Sequence, residues 1–427
     1  MSELQRLIVL MITMGIVDLP SMKDYWSTSW PFCTPQFSKL LSRDRFFLLL
    51  KFLHLADNTK QAARGQPGYD KLFKLRPFMD PLIQSFQQMF TPQRQLSIDE
   101  AMISFKGRLS FLQYLPKKPK KWGMKAWALA DSKMGYVCNW KLYTGKEGEA
   151  GSEPLGERVV TGLLAGLEHK GYHVYFDNFY TSPSLCKCLH TLGFGCCGTV
   201  RLDRRNIPDT FKSAILKKGE IATFHDDELF GLKCKDKRVV SLFSTIHDDT
   251  MISKERRSRQ APGGVETIQK PLIIEDYNQY MGGVDKSDQL VVYCGFRRSS
   301  KKWWKRAFFH LMELTMVNAY ILYCYNTPKK ERMTHLKFRL DVAKALLEAA
   351  HPVPALRYQP PPDAANVPLR LTGRHFPEPA GGRPDCKVCS DRAAGKRKQT
   401  QWQCKTCKVA MCVYPCFERY HTVKHYK

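Results

Sequence analysis

The last 42 residues are the strongest constraint on how this 427-residue chain can fold. They hold six cysteines in three short-spaced pairs, Cys386-x-x-Cys389, Cys404-x-x-Cys407 and Cys412-x-x-x-Cys416, and His421 and His425 follow. The segment has few large apolar side chains, so burial alone is a weak source of stability for it. Its eight sulfur and nitrogen donors suffice for two tetrahedral Zn²⁺ ions. Metal would then supply most of the folding energy. Free surface thiols are the alternative reading. Ahead of this tail, residues 352–385 hold nine of the 25 prolines, a density that neither helix nor sheet tolerates, and they read as a linker.

The zinc reading presumes a reducing compartment. Leu7 to Val17 is apolar, but eleven residues are too few to span a bilayer, and no small-residue cleavage site follows. The segment reads as a buried helix ending before Pro20. No membrane partner is expected. The remaining nine of the 15 cysteines are expected to be buried thiols.

The net charge is +27, and an excess of that size attracts polyanions, nucleic acid above all. The charge is clustered. Pro116 to Lys125 reads PKKPKKWGMK, with Lys117, Lys118, Lys120 and Lys121 in succession. Phe296 to Arg306 reads FRRSSKKWWKR, which sets Arg297, Arg298, Lys301, Lys302 and Lys305 beside Trp303. Cations next to aromatic rings suit a groove that tracks a phosphate backbone while bases or sugars stack. Solvated helix ends are the bland alternative. The basic runs also suit a nuclear address.

The hydrophobic pattern divides the chain further. Residues 1–92 carry helical periods, as at Leu75, Phe78, Met79, Leu82, Ile83 and Phe86. Residues 93–190 alternate short strands with a helix: Leu96 to Phe105, Met124 to Ala130 and Tyr136 to Tyr143, a helix over 156–170, then His173 to Phe176. That succession predicts an α/β core. Residues 191–272 are richer in Lys, Asp, Gly and Ser and read as an inserted β-rich domain. Residues 273–351 return to helices and complete the core, and 386–427 form the cysteine-rich domain.

Four carboxylates stand in unusual settings. Asp99 interrupts the apolar strand Ile98 to Ile103, Asp177 follows the apolar run Val-Tyr-Phe, and Asp285 and Asp288 lie on one helix face after two glycines. Burying such a group unpaired is expensive, and a divalent cation resolves the expense. Mg²⁺ favours carboxylate and phosphate oxygens, and two such ions about 4 Å apart suffice for phosphodiester chemistry. A helix N-cap at Asp285 and a turn at Asp177 explain the same residues without metal.

Three stretches resemble the acidic motifs of the piggyBac transposase family: Leu96-Ser-Ile-Asp-Glu-Ala-Met102, Tyr175-Phe-Asp-Asn-Phe-Tyr-Thr-Ser182 and Met281-Gly-Gly-Val-Asp-Lys-Ser-Asp-Gln289. Further segments resemble the family in the same order: Leu19 to Ser27, Pro119 to Lys125, Gly198 to Arg201 and Leu371 to Pro377. The resemblance implies an RNase H-like core with an inserted β domain. Asp99, Asp177 and Asp285 would be the catalytic triad with two Mg²⁺, and Asp288 a further acidic residue at the site. It implies cutting of transposon ends in double-stranded DNA, insertion at TTAA, and a homodimer on DNA. Trp303 would stack near the DNA end, with core packing as its alternative role. The tail resembles the family's cross-brace domain, which implies one Zn²⁺ on Cys386, Cys389, Cys412 and Cys416 and a second on Cys404, Cys407, His421 and His425. Family members carry a longer N-terminal part, so the chain is expected to begin inside that region. A domesticated DNA-binding protein without transposition is compatible with the same residues, and so is a tail acting as a RING-like or PHD-like interaction module.

Overall fold

The computed structural model describes the chain except residues 1, 117, 119–120, 146–153, 258–263, 297, 299, 351–368, 372–373 and 427. Two compact units result, Met1–Pro352 and Val353–Lys427.

The first unit begins with helices α1 (Ser2–Ile16), α2 (Pro35–Leu40), α3 (Arg43–Phe52) and α4 (Arg76–Met89). The apolar N-terminal run is interior, as its composition requires: Leu7, Val9, Leu10, Met11, Ile12 and Met14 are buried. A sheet follows, made of β1 (Gln95–Ser104), β2 (Gln113–Tyr114), β3 (Trp122–Asp131) and β4 (Val137–Leu142). After α5 (Leu155–Leu164) come β5 (His173–Phe176), α6 (Pro183–Thr191) and β6 (Gly195–Thr199). β1 lies between antiparallel β3 and parallel β5, β4 pairs with β3, and β5 pairs in parallel with β6. The parallel steps from β1 to β5 and from β5 to β6 need crossover connections, which include α5 and α6. β1 and β3 are largely buried, as expected of strands at the middle of a covered sheet.

Residues 191–272, read as an inserted β-rich domain, are β-rich, and part of them continues the main sheet. After α7 (Asp209–Ser213), the strands β7 (Ile221–Asp226), β8 (Leu229–Lys235) and β9 (Val239–Ser244) extend the main sheet, because β9 pairs with β6. Exposure concentrates at the outermost strand β7, while β8 and most of β9 are covered. A hairpin, β10 (Met251–Arg257) and β11 (Val265–Pro271), is the part that stands apart as its own two-stranded sheet. Helices α8 (Leu272–Tyr280), α9 (Gly283–Tyr293), α10 (Trp303–Asn326) and α11 (His335–Ala350) close the unit. α10 is long and apolar enough to cross a membrane, yet Ala307, Phe308, Leu311, Leu314, Val317 and Ile321 are buried inside the unit. That placement is the ordinary one for a core helix.

The second unit is small: β12 (Pro377–Pro379), β13 (Trp402–Cys404) and α12 (Cys416–Thr422). Most of the proline-rich stretch lies outside the described residues, but its end is part of this unit. Arg370 is buried against the rings of Tyr420 and Tyr426 and donates to the carbonyls of Tyr420, Val423 and Lys424. β12 pairs with β13. The cysteines outside the tail are not uniformly interior: Cys138, Cys186, Cys196, Cys197 and Cys294 are buried, while Cys33 and Cys188 are exposed.

Candidate functional site

Parallel register brings Asp99 and Asp177 together. Ile98 pairs with Phe176, so each aspartate is the next residue beyond the last paired position on adjacent strands. Strands in a sheet lie about 4.8 Å apart, which sets the spacing of the two backbones. The backbone turns behind Asp177: its carbonyl accepts from Tyr180 N and Thr181 Oγ1, and its Oδ1 accepts from Phe179 N at 2.9 Å. Asp99 Oδ1 accepts from Glu100 N at 2.7 Å.

The third element arrives from far along the chain. α9 packs on β1 and β3, and glycine makes that approach possible. A Cβ on Gly283 would sit 2.4 Å from Ser97 Oγ and 2.9 Å from the Asp131 carbonyl. The neighbouring turn contributes Gly135, at φ +76°, against the backbone of Gly283. Asp285 therefore enters in the first turn of a helix pressed against the strand that carries Asp99. It is exposed, while Asp99, Asp177 and Asp288 are partly buried. Among the described residues, the groups of three or more donor atoms within 4.8 Å of one another are both in the tail, so no three of these carboxylates close into such a cluster.

Their electrostatics are those of an uncompensated site. Burial pushes the Asp99 carboxyl up to about 6, Lys118 and the Glu100 N–H oppose the rise, and Asp177 and Asp285 add to it. Burial likewise pushes Asp288 up to about 7, opposed by Lys118 and reinforced by Asp285 and Asp99. Asp177 is also raised, first by burial, with the Phe179 N–H opposing. Asp131 shows the contrast. It is fully buried, but its carboxylate accepts from the N–H groups of Gln93, Lys133 and Met134 and simply shapes the β3–β4 turn. Glu100 is paired too, with Lys125, whose ammonium also lies 4.4 Å from the Phe179 ring.

The basic residues divide into two classes. Lys121, Lys301 and Lys302 are exposed and Lys118 is partly buried. Lys305 is buried and donates to the Leu50 carbonyl, and Arg298 donates to Leu19 O and Tyr25 Oη. Both were expected at a DNA surface; Lys305 is instead bonded in the interior, while Arg298 is partly buried and held by these two oxygens at the groove described next. Trp303 is half-buried and packs edge-on against Phe111, 5.5 Å between centroids. Lys117, Lys120 and Arg297 lie outside the described residues. A groove of about 820 Å³ joins the acidic residues to the basic ones: Ser104, Lys106, Asp288, Arg298, Lys301 and Arg306 all line it.

In the tail, Cys386, Cys389, Cys412 and Cys416 form one cluster, and His375, Cys404, Cys407 and His421 form another. Each set could hold a zinc ion. His375 stands where His425 was expected. Its Nδ1 lies 3.4 Å from Cys404 Sγ and 3.3 Å from Cys407 Sγ, and its ring stacks on His421 at 4.2 Å. His421 Nδ1 donates to Phe417 O, which leaves Nε2 facing Cys407 Sγ at 3.6 Å. Burial would push the Cys386 thiol up, but the N–H groups of Cys389, Cys412 and Val388 hold it at about 7. The sequence signal for His375 was weak, since a lone histidine beside prolines carries no metal-ligand spacing.

Comparison with known proteins agrees with this architecture. A family model described as Transposase IS4 matches residues 1–320. Human PiggyBac transposable element-derived protein 3 is 30% identical over 99% of this chain, which spans 70% of that protein. Human PiggyBac transposable element-derived protein 2 is 25% identical over 81% of the chain, which spans 59% of that protein. The fold matches a piggyBac transposase solved by cryo-EM as a synaptic complex with hairpin DNA. The TM-score is 0.71 at 23% identity, covering 96% of this chain and 86% of that one. The chain belongs to the piggyBac transposase family.

Proposed function

We propose that this chain is a metal-dependent DNA transposase whose nuclease centre is Asp99, Asp177 and Asp285, with Asp288 beside them. The observation that carries the reading is the convergence of three distant segments. The parallel register of β1 and β5 aligns two aspartates, and Gly283 lets α9 dock the other two against the same strand. The strand order β4-β3-β1-β5-β6, with β5 and β6 parallel to β1, supports an RNase H-like core.

The donor set fits Mg²⁺. It consists of carboxylate oxygens, and for Asp99, Asp177 and Asp288 burial outweighs the hydrogen bonds and charges that oppose it; the buried Tyr180 hydroxyl beside them has no hydrogen-bond partner among the described residues. Two Mg²⁺ held there would activate the attacking water or 3′-OH and stabilise the leaving oxygen of a phosphodiester. The chain's own part is positioning. The groove leading from Asp288 to Lys301 and Arg306 would orient a polyanion toward the carboxylates, and Lys121 and Lys302 are exposed and within the same basic runs that would contact phosphates. We assign double-stranded DNA bearing the cognate terminal repeats as substrate, TTAA as target, a homodimer as the acting form and the nucleus as its location. The two tail clusters would hold one Zn²⁺ each and order a basic DNA-contacting module.

A joining assay with cognate ends and a plasmid target tests this. Recovered joints should fall at TTAA and vanish with Asp177→Ala. Joints scattered without regard to sequence, or unaffected by Asp177→Ala, contradict the assignment. The likeness to human transposable element-derived proteins favours one alternative, a domesticated DNA-binding protein. That protein would bind the ends and join nothing.

A further inference from the structure

Lys118 is the charged group that links the basic hairpin to the acidic centre. The hairpin tip turns through Leu115 N to Lys121 O at 2.8 Å and Lys118 N to Leu115 O at 3.2 Å. This fold-back carries the Lys118 side chain onto β1, where Nζ donates to the Glu100 carbonyl at 3.0 Å, one residue from Asp99. Its neighbour Lys125 is committed to the Glu100 carboxylate. Lys118 is not committed in that way. Among the described residues no ion pair within 4.0 Å joins it to a carboxylate, and its charge favours the ionised forms of Asp99 in β1 and Asp288 in α9. An ammonium held on the backbone of the strand that carries Asp99, one residue away and paired with no carboxylate, is placed to act as a counter-ion.

We propose that Lys118 is the resident counter-cation of the metal-free acidic centre, displaced from it when metal binds and thereby released to contact the DNA backbone. The inference rests on the metal-centre reading above. A flexible four-carbon stem suits such an exchange, and an ammonium competes for the same oxygens as a divalent cation. Metal loading and phosphate contact would then be coupled through one side chain. This differs from a lysine that serves only as a DNA contact, because it predicts that removing Lys118 strengthens metal binding.

The test is Mg²⁺ titration of the full chain without DNA, followed by calorimetry and thermal melting at mildly alkaline pH, where the carboxylates are ionised. Lys118→Met should melt lower than wild type without metal, gain more on adding Mg²⁺, and bind Mg²⁺ about three- to tenfold more tightly. Lys118→Arg should behave like wild type, and Lys141→Met, which removes an exposed lysine from β4 of the same sheet, should leave Mg²⁺ binding and metal-free melting unchanged. Lys118→Gln serves as a second neutral variant if Lys118→Met folds poorly. Unchanged or weaker Mg²⁺ binding in both neutral variants overturns the counter-ion role. Asp99→Asn separates the two levels: if it leaves wild-type Mg²⁺ binding intact, the metal centre itself is wrong.

Discussion

The two candidate metal regions of this protein are built on opposite principles. In the tail, donor atoms from distant segments already lie within 4.8 Å of one another, around a cluster with little apolar mass. There the metal would make the fold. In the first unit, a large sheet and its helices bring Asp99, Asp177, Asp285 and Asp288 to one region without closing three of them within 4.8 Å of one another, and Asp99, Asp177 and Asp288 are held above the ordinary carboxylate range. There the fold makes the site, and carries its electrostatic cost until a cation arrives. The difference teaches that a structural site can be recognised by closure and a catalytic one by incompleteness.

The contrast predicts its own largest effect. Structural zinc in small modules is worth about 10–16 kcal/mol of apparent binding energy. Stripping it with a strong chelator should therefore unfold residues 370–427 and leave the sheet intact. Hydrogen exchange should show the tail amides unprotected and β1, β3 and β5 unchanged. Retained tail protection would break the comparison.

Next in size is the choice of histidine. His375→Ala should release about one of about two zinc ions per chain by elemental analysis, since a tetrahedral site loses a quarter of its donors. His425→Ala should release none. The reverse result would restore the ligand set inferred from sequence.

The acidic centre yields a smaller, pH-dependent effect. The folded-state values of Asp99, about 6, and Asp288, about 7, lie above those of an unfolded chain. Their protonated forms therefore stabilise the fold below about pH 4, and that contribution is lost as pH rises toward 7. Asp288→Asn should flatten the loss and raise the melting temperature of metal-free protein by roughly 2–4 °C at neutral pH. Mg²⁺ should stabilise wild type there and have less effect on the variant. A metal-free melting temperature that rises with pH across this range would contradict the assignment.

The smallest effect separates the two classes of lysine. Lys302→Ala should weaken DNA binding and reduce the salt dependence by about one counterion. Lys305→Met should leave the salt dependence unchanged, because its ammonium is spent on the Leu50 carbonyl. Equal slopes for the two variants would remove the distinction.

What could be read from the sequence follows the same line. The strand under Asp99, the short strand His173 to Phe176 and the buried N-terminal helix were legible, because apolar patterning reports burial directly. That β7 to β9 join the main sheet through β6 was not legible, because pairing partners are not encoded locally. Lys305 and Arg298 were assigned to the surface because charge composition says nothing about which way a side chain turns. His375 was missed because its partners are brought to it only by the fold of the tail.

The central claim, that the carboxylates brought together by β1, β5 and α9 form a DNA-cleaving centre, is tested most directly by Mg²⁺-dependent cleavage of duplex carrying the cognate terminal repeat. Wild type should nick the ends, and Asp285→Ala should fall by on the order of a thousandfold or more while still binding the DNA. Cleavage by Asp285→Ala equal to that of wild type would contradict the account.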